Sequence, residues 1–400
     1  MLVLAGIGVG AFFGIRALSD DEDTAPAPPV AVERDDEEAR APEELGFPAF
    51  ATKNTTRVGG NDATANAAGA ALATFPSTGG VESPAAVTLV PSSDWAAALA
   101  ASVLAAEPVS APVLISDRDE VPEQTATAIE AMSPEGSADT SEAEAFRIGD
   151  VEAPAGTRTI EVPAADPAQT ADAVDRLRER LTDREPRNIV VVSTEDPGFA
   201  MPAAAWAARS GDPVLVVERD RVPEATLRAL KRHKQTPVFL LGPESVASDK
   251  VVRELEKEAT AVQRVSGGDP VANSIAFARF DAGTFGWNVA DPGHGLVIAN
   301  ASRPLDAAAA APLSAAGKWG PLLVTDDADS VPVPLRGYLL DIKPGYRSDP
   351  TRAFYNHAWL IGNNSALSVA FQAQVDELLE LIQIQPAPGT TEGEPEREPR

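Results

Sequence analysis

Asp62-Ala-Thr-Ala-Asn66-Ala67, Asp166-Pro-Ala-Gln-Thr170-Ala171 and Asp269-Pro-Val-Ala-Asn273-Ser274 are three versions of one pattern, an aspartate followed four positions later by a small or polar residue. The aspartates stand 104 and 103 residues apart. Recurrence at a fixed period makes the chain an array of similar units, and every other segment is read in that light. Downstream of each aspartate lies an aliphatic strand candidate at 87–90, 189–192 and 296–299, then an alanine-rich helix at 95–106, 199–210 and 305–317. A second strand introduced by proline follows: Pro112-Val-Leu-Ile115, Pro213-Val-Leu-Val216 and Pro321-Leu-Leu-Val324. Each runs into a charged loop and a Val-Pro pair, at Pro122, Pro223 and Pro332. Proline suits a first helical turn, where its missing N–H is not needed. Third strands close on Gly149, Gly242 and Gly362.

Short, continuously aliphatic strands separated by helices of about ten or more residues indicate parallel sheets buried on both faces. The helical stripes Ala171/Val174/Leu177/Leu181 and Val375/Leu378/Leu379/Ile382 agree with such packing. The expected fold class is α/β: three tandem small three-layer parallel-sheet (Rossmann/toprim-like) subdomains in a pseudo-threefold arrangement, with a disordered tether and tail. By the repeat period the units occupy 51–158, 159–263 and 264–385. Right-handed crossovers are the default in each.

Composition narrows the chemistry. Of 400 residues, 44% are hydrophobic but only 5% aromatic, so small and branched aliphatic side chains must build the cores. The absence of cysteine excludes disulfides, thiolate metal sites, a cysteine nucleophile and a lipoprotein anchor. His233, His294 and His357 have no mutual ligand-like spacing, so no histidine metal site is expected, and no cofactor either. The formal charge is −27, of which residues 1–46 carry −8 and residues 386–400 carry −2, leaving −17 on the body. That charge repels polyphosphate backbones and argues against nucleic acid as a partner.

The first fifteen residues are an unbroken run of apolar residues and glycine, followed by Arg16 and the acidic residues 20–23. Residues 1–18 read as a membrane anchor or signal segment, although a span needs roughly 20 residues. Within it, Gly6-x-Gly8-x-x-Ala11 imitates a dinucleotide fingerprint without the strand–turn–helix context that motif requires. Residues 19–50 are a Pro-, Ala- and acid-rich linker, and 386–400 a tail of Glu, Pro and Gly; neither has enough apolar surface to offset the entropy of ordering.

Arg57-Val-Gly-Gly60-Asn-Asp62 and Arg264-Val-Ser-Gly267-Gly-Asp269 resemble the opening of the type 2 cell-wall-binding repeat family, usually Arg-x-x-Gly-x-Asp-Arg-Tyr-x-Thr-Ala. The stretches Ser92-Ser-Asp94-Trp-Ala-Ala-Ala-Leu99, Pro112-Val-Leu-Ile115 and Leu240-Leu-Gly242 with Ser245-Val-Ala-Ser248 are similar to its later signatures, so the likeness spans about residues 52 to 384. The family's Arg-Tyr pair is replaced by Ala63-Thr64, Pro167-Ala168 and Pro270-Val271, and the second copy lacks the opening Arg and Gly. The resemblance implies three modules per chain, attaching a surface protein non-covalently to anionic glycopolymers of a bacterial wall.

Several residues admit two readings. Asp62, Asp166 and Asp269 suit helix N-caps better than contacts to polymer hydroxyls. Arg57 and Arg264 suit either bidentate contacts to a polymer oxyanion or bridges between neighbouring units. The acidic loops at Asp117/Asp119 and Asp326/Asp327/Asp329 invite calcium, yet helix-start charge explains them more simply. Ser92 and Ser93 follow a first strand without the elbow a nucleophile needs. Trp287, in a glycine-rich stretch, is either a sugar-stacking platform or a cover for a unit edge.

The expected function is that of a non-catalytic, extracytoplasmic cell-wall-binding protein, tethered to the membrane through its N-terminal segment. The other function carried forward is an extracytoplasmic solute-binding or carbohydrate-active protein using a cleft between subdomains, since parallel α/β units bind ligands at strand C-termini.

Overall fold

The computed structural model describes residues 48–76, 83–315 and 320–384. The anchor or signal segment at 1–18, residues 19–47 of the linker and the tail at 386–400 lie outside them. In chain order the first unit contains β1 (Pro48–Ala51), β2 (Thr55–Val58), α1 (Ala63–Thr74), β3 (Val87–Val90), α2 (Trp95–Ala101), β4 (Val113–Ile115), α3 (Glu123–Met132) and β5 (Ala145–Ile148). The second has β6 (Thr159–Val162), α4 (Pro167–Thr182), β7 (Ile189–Ser193), α5 (Pro197–Ala200), α6 (Pro202–Ser210), β8 (Val214–Val217), α7 (Glu224–Arg232), β9 (Val238–Leu241) and α8 (Asp249–Leu255). The third has β10 (Val262–Val265), α9 (Pro270–Arg279), β11 (Gly295–Asn300), α10 (Leu305–Ser314), β12 (Leu322–Thr325), α11 (Val333–Asp341), β13 (Gly345–Tyr346), β14 (His357–Ile361), α12 (Val369–Leu379) and β15 (Ile382–Gln383).

Three parallel four-stranded arrays result, with strand orders β4-β3-β5-β6, β8-β7-β9-β10 and β12-β11-β14-β2, and β13 and β15 form a separate parallel pair. Strands β3, β4, β7, β8, β9 and β12 are buried at every position, as strands covered on both faces must be. The orders show an offset that the repeat period conceals. Each opening strand joins the sheet of the unit before it: β6 pairs with β5, and β10 with β9. The first opening strand, β2, closes the cycle by pairing with β14, about 300 residues away. Antiparallel β1 then covers the outer edge of β2, so residues 48–50 belong to the folded ring rather than to the linker assigned to 19–50.

The helix after each opening strand packs instead on the elements of its own unit, so the chain crosses between sheets there. Helix α1 packs on β4 and α3, α4 on β8 and α7, and α9 on β12 and α11. At the centre the alanine-rich α2, α6 and α10 pack on one another, and a single buried cluster runs from Val58 to Ile361 through all three units. Alanine at Ala97–Ala98, Ala203–Ala205 and Ala307–Ala311 lets three helices approach where larger side chains would hold them apart. Ala309→Leu, at a position 1% exposed, is therefore expected to overpack this centre and cost about 1–3 kcal/mol in chemical denaturation.

One sequence expectation is corrected here. Ile382 lies in β15, 44% exposed, rather than on the buried stripe of α12.

Candidate functional site

Asp62, Asp166 and Asp269 occupy equivalent helix starts. Their carboxylates accept from Ala65 N (2.9 Å), Gln169 N (2.9 Å) and Ala272 N (2.7 Å), and their backbones share φ near the extended region at −141°, −142° and −139°. Four residues on, Asn66, Thr170 and Asn273 are fully buried. Asn66 Nδ2 donates to Asp306 Oδ1 of the third unit (2.9 Å), Asn273 Nδ2 to the Phe199 carbonyl of the second (3.2 Å), and Thr170 Oγ1 to the Asp166 carbonyl (3.0 Å). In the first and third copies the pattern thus marks a crossing point between units, whereas in the second the residue bonds within its own helix start.

Arg57 lies on β2 opposite Leu360, and Arg264 on β10 opposite Leu240. Arg57 is 3% exposed, and its donors reach the carbonyls of Gly362 (2.8 Å), Asn363 (3.2 Å), Leu367 (2.7 Å) and Ser368 (3.3 Å) and Gln372 Oε1 (2.9 Å). Burial lowers its pKa to about 10. Arg264 makes the corresponding bonds to the Gly242 and Ala247 carbonyls, both 2.9 Å, and is more open. These geometries make each arginine a clamp on the loop after the neighbouring third strand, and Arg57 turns almost all of its surface to that loop. The same loops explain the glycines. Gly149, Gly242 and Gly362 have φ of +80°, +116° and +105°, and a Cβ at Gly362 would lie 2.6 Å from Ala366 Cβ. In the first sheet the arginine has changed strands: Glu161 stands at the Arg57 register and Arg147 opposite it, joined at 3.0 Å.

Above the crossing of the third and first units opens a cavity of about 370 Å³ lined by Asn61, Asp62, Ser92, Ser93, Trp95, Arg303 and Asp306. The loops after β2 and β11 meet there with the loop after β3, at strand C-termini where open α/β sheets bind ligands. Asp306 is fully buried; burial pushes its carboxyl up, while Arg303 Nε at 2.7 Å and Asn66 pull the other way. Ser92 Oγ donates to Asp117 Oδ1 (2.6 Å). Hydroxyls, an amide, one guanidinium and an indole suit a sugar more than a bare ion. A second cavity of about 390 Å³, beside Asp166, Thr194, Glu218 and Arg221, occupies the next crossing. Arg303 and Asp306 escaped sequence reasoning because they lie in an alanine-rich helix start; the buried polar residue at Asn66 was the available signal.

The acidic loops are tied internally. Asp327 accepts from Ser330 Oγ (2.6 Å), Asp329 N and Ser330 N, which hold its carboxyl below the usual range. Among the described residues no group of three or more His, Asp or Glu is placed to hold a metal ion. His233 is buried between Asp175 (2.8 Å) and Glu185 (3.0 Å), within a network that includes Asp172, Arg178 and Arg232. Burial alone would lower its pKa, but the bond to and charge of Asp175, with Glu185, raise it overall. The imidazolium therefore adds stability fully present below about pH 6.5, the unfolded value, and lost as pH rises through the higher folded value. The stability deficit of His233→Asn is expected to be largest at about pH 6 and to shrink by about pH 9, as urea melts across that range would show.

No family model matches the chain, and no curated protein sequence does. Solved structures do match. Cwp6 from Clostridium difficile superposes with a TM-score of 0.65 at 15% identity, covering 82% of this chain and 48% of its own. Cwp8 from Clostridium difficile gives 0.62 at 16%, covering 82% and 52%. The chain spans about half the length of these two proteins, and at such identity the likeness is one of fold. Among the described residues no helix is long and apolar enough to cross a membrane.

Proposed function

We propose that this chain is a non-catalytic protein of the bacterial cell envelope that associates non-covalently with an anionic wall glycopolymer, its body outside the membrane and tethered by the N-terminal segment. The observation that carries the reading is the ring itself: three units, the first and third with openings resembling the cell-wall-binding repeat, closed in a fold shared with Cwp6 and Cwp8. The cavity above the crossing of the third and first units supplies hydroxyl, amide and indole groups for sugar units, and Arg303 supplies a local cation.

The test is a pull-down of the purified full chain with isolated cell walls before and after chemical removal of anionic polymers. Retention on intact walls and release from stripped ones supports the proposal; equal retention on both sinks the anionic part, and no retention sinks the whole. With −17 on the body, long-range forces oppose a polyanion, and salt at about 0.1 M screens them beyond roughly 10 Å while sparing close contacts. Moderate salt is thus expected to leave wall binding unchanged or strengthen it. A steep loss with salt, as for a basic polyanion binder, would contradict this.

A further inference from the structure

A third cavity, of about 530 Å³, lies at the opposite end of the second unit's strands, where Asn188 leads into β7 and Asp212 into β8. Its walls are the end of α4, residues 184–188, the end of α6 and a glycine-rich loop of the third unit that carries Thr284 and Trp287. The floor is fixed: Asp212 accepts from Asn188 N (3.1 Å), Asn188 Nδ2 (3.0 Å) and Trp206 Nε1 (2.9 Å), and Asn188 Nδ2 also reaches the Thr284 carbonyl (3.0 Å). Phe285 stacks on Phe239 at 3.8 Å, and Trp287 meets Trp206 edge-on at 5.5 Å, so the loop is held by its aromatic residues.

The charge of this cavity departs from that of the molecule. Arg178, Arg184, Arg187 and Arg209 line it against three carboxylates, Glu107, Glu185 and Asp212. Of these, Glu185 is bonded to His233 and Asp212 is saturated by the donors above. In both crossing cavities, carboxylates outnumber arginines. Arg184, Arg187 and Arg209 form no ion pair among the described residues. Two further donors belong to lining residues: Arg178 Nη2, on a side chain 5% exposed, and Trp287 Nε1 are buried without a hydrogen-bond partner. Buried donors are nearly always satisfied, so two orphans beside one cavity call for an acceptor. Arg209 lies in the last turn of α6, where it also complements the helix dipole. That accounts for neither Arg184 and Arg187 nor the orphaned donors.

We propose that this cavity binds an anionic sugar, carrying a phosphate or a carboxylate, with the arginines taking the oxyanion and the Trp287 indole bordering the ring. Guanidinium forks match both oxyanions. Free sugar phosphates or uronates and the anionic residues of a glycopolymer share this chemistry, so the test separates them.

Calorimetric titration of the full chain with glucose 6-phosphate, glucuronate, inorganic phosphate and glucose is the measurement. At least one of the two anionic sugars is expected to bind about tenfold or more tightly than both glucose and inorganic phosphate. Arg187→Ala/Arg209→Ala, two exposed positions whose loss should leave the circular dichroism unchanged, is expected to reduce that affinity about tenfold. Trp287→Phe, which keeps a ring and removes the N–H, should weaken it several-fold. No binding, no preference over glucose or phosphate, or unaltered binding by the folded double variant overturns the proposal. Wall pull-down of the double variant assigns the source: loss with the sugar marks a polymer residue, retention a free ligand. If the wild type fails on walls yet binds the sugar, the wall reading falls and this site stands.

Discussion

Arg57→Ala is expected to destabilise the protein by about 3–5 kcal/mol, a large share of the stability of a typical domain. The guanidinium is 3% exposed and holds the carbonyls of Gly362, Asn363, Leu367 and Ser368; those of the buried Gly362 and Leu367 lose this donor once the arginine is gone. Gln372, which accepts from Arg57 Nε and donates to Thr55 Oγ1 at 2.9 Å, loses half of its network as well. Arg57→Lys should recover little, because an ammonium cannot place donors across four carbonyls in one plane. Arg264→Ala offers the internal comparison. Its side chain is 21% exposed and clamps two carbonyls, so a loss of about 1–2 kcal/mol is expected. Chemical denaturation of the three variants checks the ranking. If Arg57→Ala melts within about 1 kcal/mol of the parent, the clamp is not what holds that loop. A variant that stayed stable and lost wall binding would instead restore Arg57 as a polymer contact.

The contrast between these arginines and the unit boundaries shows what the sequence could and could not disclose. Strand, helix and cap positions were legible because each depends on neighbours a few residues away: an aspartate before an alanine run, a proline at a first turn, a glycine needed at positive φ. Asp62, Asp166 and Asp269 illustrate this, since the cap bond spans three residues. Which sheet an opening strand enters depends on pairing partners far along the chain, and the alternatives look alike locally. Thr55–Val58 reads as the same short strand whether it lies beside its own unit's third strand or beside β14. Arg57 and Gly362 were therefore visible as separate motif residues while their contact across 305 positions was not. The exchange of Arg147 and Glu161 was hidden for the same reason, because a missing arginine is recognisable as moved only once the register is known. The cavity above the crossing of the third and first units combines residues from three segments, 61–63, 92–95 and 302–306, and no single segment suggests it.

Removing residues 48–58 is expected to unfold the ring or reduce its stability by more than about 5 kcal/mol, comparable with the whole stability of many domains. The deletion strips β2 from β14, exposes the backbone donors and acceptors of that strand, and removes Arg57 from the loop it clamps. It also cuts the contacts that join the chain's two ends: Thr52 Oγ1 and Asn54 N to Asp376, and Lys53 to Glu380. A general penalty for shortening the chain does not predict what a circular permutant should do. Joining residue 384 to residue 48 through a flexible linker of about ten residues, and opening new ends at the exposed Ala155–Gly156 turn, keeps every strand pair while cutting only the connection from β5 to β6. A closed ring is indifferent to where its covalent break lies, apart from the modest entropy of the altered connections. The permutant should thus keep the parent's circular dichroism and melt within a few degrees of it, while the deletion variant loses its cooperative transition. Cooperative folding of the deletion variant with little loss of stability would show that β2 does not close the ring, and collapse of the permutant would show that the link from β5 to β6 carries stability that the strand pairing does not.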